Sequence, residues 1–502
     1  MDERPRSGGT LTVAMPSDAP TLDPHKTPSF NTHERIGLVY SRLLKQEIGP
    51  DIPYGKAKLV GDLAERWEVA KDGLTYTFHL RKGVTWHDVP PVNGREFVAE
   101  DVVATFERIK KQGFQAGMLS NVTEIEAPDR HTVVLKLSKP FAPLLNFMAN
   151  HHMWILPKEA VEGKVDLDHQ AIGTGPFILE RWDRDVVTVY RKNPNYYEKG
   201  KPYLDRVVFK VVPNQGARVA AFRSGETQLI TASTPEEAEA LRRAVPDVKE
   251  MELLSPAPLQ LYLNLAREPF DDLRVRKAIS MAIDREGMAK VLFGGGGAYP
   301  GPVQVTLDEY ALSQDELKRL QPYDPEGAKR LLAEAGLPNG FSTTMIVTPG
   351  YGPQYIRVAE WVAEDLAKVG IKVKIEVVEY ATYFSSRWPG KQFDMGVGLQ
   401  TPFLEPDEFL RDQLHSKGSR NWYNISDPEL DEMLIEQTRI LDPAKRTEKI
   451  KEIQRYVLTE LVNPIYLWTV PTTVLIGNTV RDFHPQPVYG YPELVATWVV
   501  SG

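Results

Sequence analysis

Residues 172–177 read IGTGPF, inside the longer stretch AIGTGPFILERWDRDVVTVYRKNPNYY at residues 171–197. Two glycines so close together suit either a loop that cradles a phosphate or a tight bend of the backbone. The segment lacks the Gly-Lys-Ser/Thr ending of a Walker loop, and no helical pattern follows it. Because FILERW alternates like a strand, Gly173 and Gly175 are predicted to be backbone hinges that lead into a strand.

The N-terminal half of the chain alternates with the two-residue period of β-strands. Apolar residues share one face in GGTLTVAMPSD (Leu11, Val13, Met15) and in GLTYTFHLRKG (Leu74, Tyr76, Phe78, Leu80). Between such strands, FVAEDVVATFERIKK at 97–111 begins with acids and ends with bases, which suits a helix dipole.

Strands and helices alternate in the C-terminal half. FSTTMIVTPG, YIRVAEWVAEDLAKVG and IKVKIEVVEY at 341–380 read as strand, helix and strand, with Ile371, Val373, Ile375 and Val377 alternating in the last. A βαβ unit of this kind predicts a partly parallel sheet. Three Asp-Pro pairs precede helical runs, so their aspartates are predicted to be N-caps rather than catalytic acids: Asp324, Asp427 and Asp442.

Composition limits the class of protein. A chain of 502 residues is too long for one core and predicts two or three domains. A net charge of −8 argues against a general nucleic-acid binder, and the absence of cysteine excludes disulfides and thiolate sites. No stretch is apolar enough to span a membrane, and the start MDERPRSGG lacks the apolar core of a signal peptide.

No catalytic constellation is found. GGGG at 294–297 follows a helix and lacks a lysine, which favours a flexible loop, and neither a G-x-S-x-G nor an H-E-x-x-H motif occurs. Adjacent histidines are expected to point apart, so His151 and His152 predict no metal site, although a metal-chelate receptor using them or His415 stays open. We therefore expect a binding protein, not an enzyme, with no cofactor and no resident metal.

Aromatic residues in polar loops are candidates for binding an organic ligand, with core or rim packing as the alternative: Tyr380, Tyr383, Trp388, Trp422, Tyr423, Tyr466 and Trp468. A second candidate is the loop SDAPTLDPHKTPSF at 17–30, which follows the first strand. If it lines a cleft at the carboxyl end of that strand, His25 and Phe30 lie near ligand; the alternative is a plain turn at Asp23-Pro24.

Several longer segments resemble one family. They are DLAERWEVAKDGLTYTFHLRKGVTWHD with EFVAEDVVATFERI, IGTGPFILERWDRDVVTVYRKNPNYY, RVVFKVVPNQGARVAAFRSGETQLI, LYLNLAREPFDDLRVRKAISMAIDRE and YDPEGAKRLLAEAGLPNGF. On these motifs the chain is identified, from about Gly8 to its C-terminus, as a member of the family 5 extracellular solute-binding proteins. These are the peptide, nickel and opine receptors of ABC importers.

The resemblance implies an α/β, two-lobed periplasmic-binding-protein-like fold of type II, in its large family-5 form. Lobe I would comprise 8–267 and 476–502 with an extra subdomain at about 45–175, and lobe II would comprise 268–475. Two crossing strands are expected at LYLNLA (261–266) and LWTVPTTV (467–474). The ligand cleft would lie between the lobes, which close on ligand like a hinge.

The same resemblance implies a ligand site. Glu405 stands where peptide receptors of the family hold the ligand's ammonium, with Asp407 as an alternative and a plain N-cap as the competing interpretation. VTPGYGPQ (347–354) lacks the arginine of dipeptide receptors, and Leu399 replaces a common tryptophan. A wider, less charged pocket is therefore expected. The predicted ligand-binding residues are Glu405, Tyr380, Gln400, Thr401, Phe403, Trp422, Tyr423, His25, Phe30 and Trp468.

In function, the resemblance implies a receptor that captures a small organic solute, foremost a peptide, and delivers it to an ABC permease with its ATPase. An oligosaccharide, an opine-like solute or a metal chelate are the alternative ligands. The protein is expected to be extracytoplasmic and monomeric, with no nucleic-acid partner. Family members often carry a lipid on an N-terminal cysteine; none is present here, as expected if the chain starts after it.

Overall fold

The strand predicted at 10–15 lies at the centre of a seven-stranded sheet in the computed structural model, which describes residues 4–500 except 57, 233, 246–247 and 488–489. The strands are β1 (Thr10–Met15), β2 (Leu44–Gln46), β3 (Leu59–Gly61), β4 (Ala64–Val69), β5 (Thr75–Leu80), β6 (Val122–Asp129), β7 (Thr132–Leu137), β8 (Phe177–Asp183), β9 (Val187–Lys192), β10 (Arg206–Val211), β11 (Leu229–Ala232), β12 (Lys249–Leu254), β13 (Leu259–Leu263), β14 (Ser342–Val347), β15 (Lys372–Val377), β16 (Met395–Leu399), β17 (Ile465–Trp468), β18 (Pro471–Ile476), β19 (Val480–Arg481) and β20 (Trp498–Val499).

The helices are α1 (Phe30–Ile36), α2 (Ala99–Gln112), α3 (Leu144–Phe147), α4 (Lys158–Val161), α5 (Gln215–Arg223), α6 (Pro235–Ala244), α7 (Leu273–Ala282), α8 (Arg285–Phe293), α9 (Gln314–Leu320), α10 (Pro325–Glu334), α11 (Gln354–Lys368), α12 (Tyr380–Thr382), α13 (Pro406–Phe409), α14 (Pro428–Arg439) and α15 (Pro443–Tyr456). Short 3₁₀ segments occur at Ala116–Leu119, Pro349–Tyr351 and Pro492–Val495, and π-helical segments at Tyr383–Arg387, Leu410–Leu414 and Val457–Leu461.

Two compact units make up the chain. The first runs to Thr231 and includes Ala240–Met251 and the chain from Val474; the second comprises Ala232–Glu239 and Glu252–Thr473. The chain changes unit within β11, α6, β12 and β18. The crossing strand expected at 261–266 is therefore wrong, because β13 pairs with β16 and β17 inside the sheet of the second unit.

In the first unit, the sheet order is β12-β18-β11-β1-β10-β9-β8, with β1 parallel to β10 and to β11. A separate antiparallel sheet has the order β4-β5-β7-β6. Its β5 buries Tyr76, Phe78 and Leu80, and α2 buries Phe106 and Ile109 in the same hydrophobic core. The predicted face of this strand is confirmed, and so is the predicted helix, with Glu100 and Asp101 in its first turn and Lys110 and Lys111 in its last.

The glycines of IGTGPF allow a close approach between two backbone segments, as the sequence pattern predicts. A Cβ atom on Gly173 would lie 1.9 Å from the carbonyl oxygen of Val39, and one on Gly175 would lie 2.6 Å from the same oxygen. Glycine at both positions lets the Gly175 N–H donate to Val39 O at 2.8 Å, and the Phe177 N–H donates to Leu38 O at 3.0 Å. The close approach then leads directly into β8.

In the second unit, the sheet has the order β15-β14-β16-β13-β17. β14 and β15 are parallel and are joined by α11, which buries Val358, Val362 and Leu366, so the predicted βαβ unit is confirmed. The alternation predicted for β15 fails at Val377, which is 58% exposed, because this residue ends an edge strand.

The three Asp-Pro aspartates are N-caps, as predicted. Asp324 accepts from the Gly327 N–H, Asp427 from the Leu430 N–H and Asp442 from the Lys445 N–H, at 2.8, 3.1 and 2.9 Å. Each carboxylate satisfies a backbone donor that the first turn of a helix leaves without an intrahelical partner.

Gly173→Ala should lower the free energy of unfolding by about 1–3 kcal/mol, because its Cβ would press on a backbone carbonyl that no rotamer change can move away. Urea unfolding followed by circular dichroism measures the change. Gly117→Ala is the matched control, since a Cβ there meets nothing within 4 Å. Equal stability of the two variants would show that the approach at Val39 does not constrain residue 173.

Candidate functional site

Four strands of the second unit end at the same edge of its sheet. β14, β15 and β16 run parallel, and β17 shares their direction because β13 is antiparallel to both β16 and β17. Segments 348–351, 378–380, 400–404 and 468–470 lie at the ends of these four strands, and segment 255–258 precedes β13 at the same edge of the sheet. We call these five segments together the carboxyl edge. Its segments are joined by hydrogen bonds from Gln400 N–H to Pro258 O and from Ser255 N–H to Val470 O, each 2.9 Å. Open α/β sheets bind ligands outside this edge.

Five of the ten predicted ligand-binding residues meet at the carboxyl edge: Tyr380, Gln400, Thr401, Phe403 and Trp468. Tyr380 is 42% exposed, and its ring lies edge-on to that of Tyr351 at 5.4 Å between centroids. Burial raises the pKa of the Tyr380 hydroxyl, which keeps it a neutral hydrogen-bonding group. Sequence reasoning did not single out Tyr351, although it ends the short 3₁₀ segment that follows β14.

The other residues at the carboxyl edge are held by contacts within the unit. Gln400 is buried and donates from Nε2 to Pro302 O at 2.8 Å, while Phe403 stacks on Phe409 with centroids 5.4 Å apart. Trp468 donates from Nε1 to Gly296 O at 2.9 Å. Thr401 is half-buried, so it is an accessible side chain next to these anchors.

Gly296 and Gly297 of the glycine run at 294–297 contact Trp468. A Cβ on Gly297 would lie 2.3 Å from both Trp468 Nε1 and Thr469 O, and the φ of Gly297 is +108°. The segment is a loop, as expected from the sequence, and it packs on β17 through a contact at Gly297 that only glycine allows.

Glu405 caps α13, which confirms the N-cap interpretation: its Oε1 accepts from the Asp407 N–H at 3.1 Å. Glu405 is fully buried and forms an ion pair with Arg446 of α15. Although burial opposes it, the Glu405 carboxylate raises the pKa of Arg446 above its usual value. Arg446 also donates from Nε to Gln437 Oε1 at 3.1 Å.

The alternative acid, Asp407, is also paired. Its Oδ2 accepts from Arg411 Nε at 2.9 Å and its Oδ1 from Gln437 Nε2 at 2.6 Å. Burial raises the pKa of the Asp407 carboxyl. Both candidate acids therefore have partners inside the second unit, and their contact with an ammonium group stays a prediction.

The backbone of Tyr423, next to Trp422, lies near Leu265, just after the end of β13 and at the edge of the sheet opposite the carboxyl edge. The Tyr423 carbonyl accepts from Leu265 N–H at 2.9 Å, and its hydroxyl donates to Gln413 Oε1 at 2.9 Å. Trp422 packs edge-on against Trp388 with centroids 4.6 Å apart. The structure does not bring the backbone of these two residues to the carboxyl edge, and their ligand contact also stays a prediction.

The predicted N-terminal loop follows the carboxyl end of β1 and is held by buried ion pairs. Arg35 Nε lies 2.7 Å from Asp18 Oδ1, and Arg108 Nη2 lies 2.6 Å from Asp23 Oδ2. His25 is buried, with Nε2 3.0 Å from Trp154 O, and Arg108 Nη1 donates to its Nδ1 at 2.6 Å.

His25 therefore anchors this loop. Burial is the largest of the effects that lower its pKa to about 3, so the ring is neutral. Phe30 is half-buried at the start of α1. Contact of either residue with ligand stays a prediction.

The expectation that His151 and His152 point apart is wrong. Their ring centroids are 4.2 Å apart, and each ring lies 4.7 Å from that of His33. The turn at these residues folds both rings toward α1. No local sequence signal links His33 to the pair, because the contact joins segments that are distant along the chain.

Comparison with known proteins establishes the family. The model of bacterial extracellular solute-binding proteins, family 5, matches residues 58–421. The dipeptide-binding protein of Escherichia coli K12 is 30% identical over 511 residues, covering 96% of this chain and 92% of that protein. This chain belongs to the family 5 solute-binding proteins.

Solved structures of similar proteins confirm the two-lobed α/β fold class for this family 5 protein. The periplasmic binding protein DppA of Helicobacter pylori, in complex with the peptide STSA, has a TM-score of 0.83 and 28% identity, with 98% of each chain covered. AgaA of A. tumefaciens R10, in complex with agropinic acid, has a TM-score of 0.82 and 25% identity, covering 98% of this chain and 99% of that one. Among the described residues, no helix is long and apolar enough to cross a membrane.

Arg446→Met should destabilise this family 5 protein by about 3–5 kcal/mol, because it leaves the Glu405 carboxylate buried without its cation. Urea unfolding measures the loss, and adding Glu405→Gln to the variant should restore part of it. The control is Lys329→Met, which breaks the exposed pair with Glu326 and should change stability little. An Arg446→Met variant as stable as the control would contradict the buried pairing.

Proposed function

We propose that this chain is the peptide receptor of an ABC importer. The observation that carries the proposal is the 30% identity with a dipeptide-binding protein across 96% of the chain. The structural similarity to a binding protein solved with the peptide STSA gives independent support. The receptor binds its ligand reversibly outside the cytoplasm as a monomer, does no chemistry on it, and delivers it to a permease with its ATPase.

The carboxyl edge is the proposed contribution of the second unit to peptide binding. Tyr380, after β15, offers an exposed aromatic face, and Thr401, after β16, offers a hydroxyl on the same edge. Gln400, Phe403 and Trp468 hold the backbone of this edge through the contacts described above. Aromatic walls with a few placed polar groups are typical of sites for organic ligands.

Peptides longer than two residues are the proposed ligands. The segment 347–354 contains no arginine to pair with the carboxylate of a dipeptide. Glu405 and Asp407 already pair with Arg446 and Arg411 inside the second unit, which weakens either carboxylate as a partner for a ligand's ammonium group. Recognition that relies on aromatic and neutral polar groups depends less on where the charged peptide termini lie, and so tolerates a longer chain.

An opine-like organic acid is the second candidate ligand, favoured by the similarity to AgaA in complex with agropinic acid. A defined ligand series separates the two. Calorimetry should detect binding of tri-, tetra- and pentapeptides, and thermal unfolding should shift upward, since saturation at a hundredfold excess over Kd adds about 2.7 kcal/mol of stability. Binding of agropinic acid with no response to any peptide would overturn the peptide proposal.

Catalysis is tested with the same samples. A bound peptide should be recovered intact after long incubation with the purified protein, as judged by mass spectrometry. Turnover of the peptide would contradict the receptor role.

Tyr380→Ala should weaken peptide binding about tenfold, because the loss of one aromatic contact of roughly 1.4 kcal/mol corresponds to a factor of ten in Kd. Titration calorimetry of the variant with the tightest peptide found gives the change. Tyr323→Ala is the matched control: this tyrosine of the second unit is equally exposed, at 46% against 42%, but precedes α10 and is not part of the carboxyl edge. Equal affinities of the two variants would remove Tyr380 from the site.

A further inference from the structure

Three histidines of the first unit converge at one point. One ring nitrogen of each of His33, His151 and His152 lies within 4.8 Å of the others, and all three residues are buried. His33 belongs to α1, whereas the adjacent pair lies in the turn after α3. The cluster therefore joins two segments that are far apart in sequence.

The surroundings of His33 select one tautomer. Its Nε2 lies 3.0 Å from Thr27 O and donates to that carbonyl, which leaves Nδ1 as the nitrogen with the lone pair. The Trp154 indole N–H donates to this Nδ1 at 3.4 Å, so a metal ion at Nδ1 would replace that long hydrogen bond. A ring N–H bound to a backbone carbonyl is the arrangement that orients a histidine as a metal ligand.

The turn that carries the other two rings is also held in place. The His152 backbone N–H donates to Asn150 Oδ1 at 2.9 Å, and Arg42 Nη1 donates to Ala149 O at 2.5 Å. These bonds fix the chain just before and within the histidine pair. The two imidazoles therefore need only side-chain rotation to approach a common ion.

The charges around the cluster also bear on the binding of a cation. Nearby charges include the guanidinium of Arg42, whose Nη1 donates to Ala149 O, and the carboxylate of Asp62, which accepts from the Arg42 backbone N–H at 2.8 Å. The Asp62 carboxylate partly balances the positive charge that a dication would meet.

We propose that His33, His151 and His152 form a structural binding site for a divalent transition metal ion, with Zn²⁺ as the leading candidate. Three imidazoles without a carboxylate select Zn²⁺, Cu²⁺, Ni²⁺ or Co²⁺ over Mg²⁺ and Ca²⁺. Zn–N bonds of about 2.0–2.1 Å in tetrahedral geometry place the nitrogens roughly 3.4 Å apart, so ring nitrogens up to 4.8 Å apart must draw together by up to about 1.4 Å. Water supplies the fourth ligand.

Such an ion would cross-link α1 to the 150–152 turn. Because it binds the folded chain and not the unfolded one, it would stabilise the first unit by mass action. None of the three ligands belongs to the carboxyl edge, because all three lie in the first unit and the carboxyl edge lies in the second.

The test uses the untagged full chain, stripped with a chelator and dialysed against Zn²⁺. Elemental analysis should find one Zn²⁺ per chain, and thermal unfolding should shift upward with the ion. His33→Gln should weaken Zn²⁺ binding at least tenfold. His169→Gln, which changes an exposed histidine of the same unit that pairs with Asp166, should leave it unchanged. Retention of full Zn²⁺ affinity by His33→Gln would place the ion elsewhere and overturn the proposal.

Unmodified protein gives a second readout that does not depend on a variant folding. Co²⁺ added to the stripped chain should produce the visible absorption bands of a tetrahedral, nitrogen-rich site, and Zn²⁺ should displace them. A Co²⁺ spectrum indistinguishable from that of the hydrated ion would also overturn the proposal, leaving the cluster as neutral imidazoles packed in a core.

Discussion

The buried ion pair between Glu405 and Arg446 holds the segment on which the candidate ligand site depends. The carboxylate caps α13 and pairs with α15, so it fixes the chain that runs from the end of β16 through Gln400, Thr401 and Phe403. A buried charge that has lost its partner is far more costly than an exposed one. The position of the carboxyl edge is therefore coupled to two helices that do not themselves reach ligand in our proposal.

The local elements of the fold could be predicted from the sequence because they depend on neighbours a few residues away. The faces of β5 and α11 and the caps at Asp324, Asp427 and Asp442 follow from periodicity and from the chemistry of the first helical turn. Gly173 was predictable because glycine next to a strand pattern indicates close backbone approach.

The rest depends on contacts between distant segments, which no local pattern records. Glu405 meets Arg446, and His33 meets His151 and His152, only after folding brings their elements together. The position of Trp422 beside Trp388 follows from packing in the same way. The family motifs predicted the two-lobed fold class and the receptor role, but they could not indicate which acids already have partners.

The central claim is that this receptor carries peptides. Native mass spectrometry of the protein taken directly from its expression host, followed by release and sequencing of whatever is bound, tests it most directly. We predict complexes heavier than the free chain by the masses of peptides of three or more residues, which exchange with an added peptide of known sequence. A bound sugar or organic acid that no peptide displaces would contradict the claim.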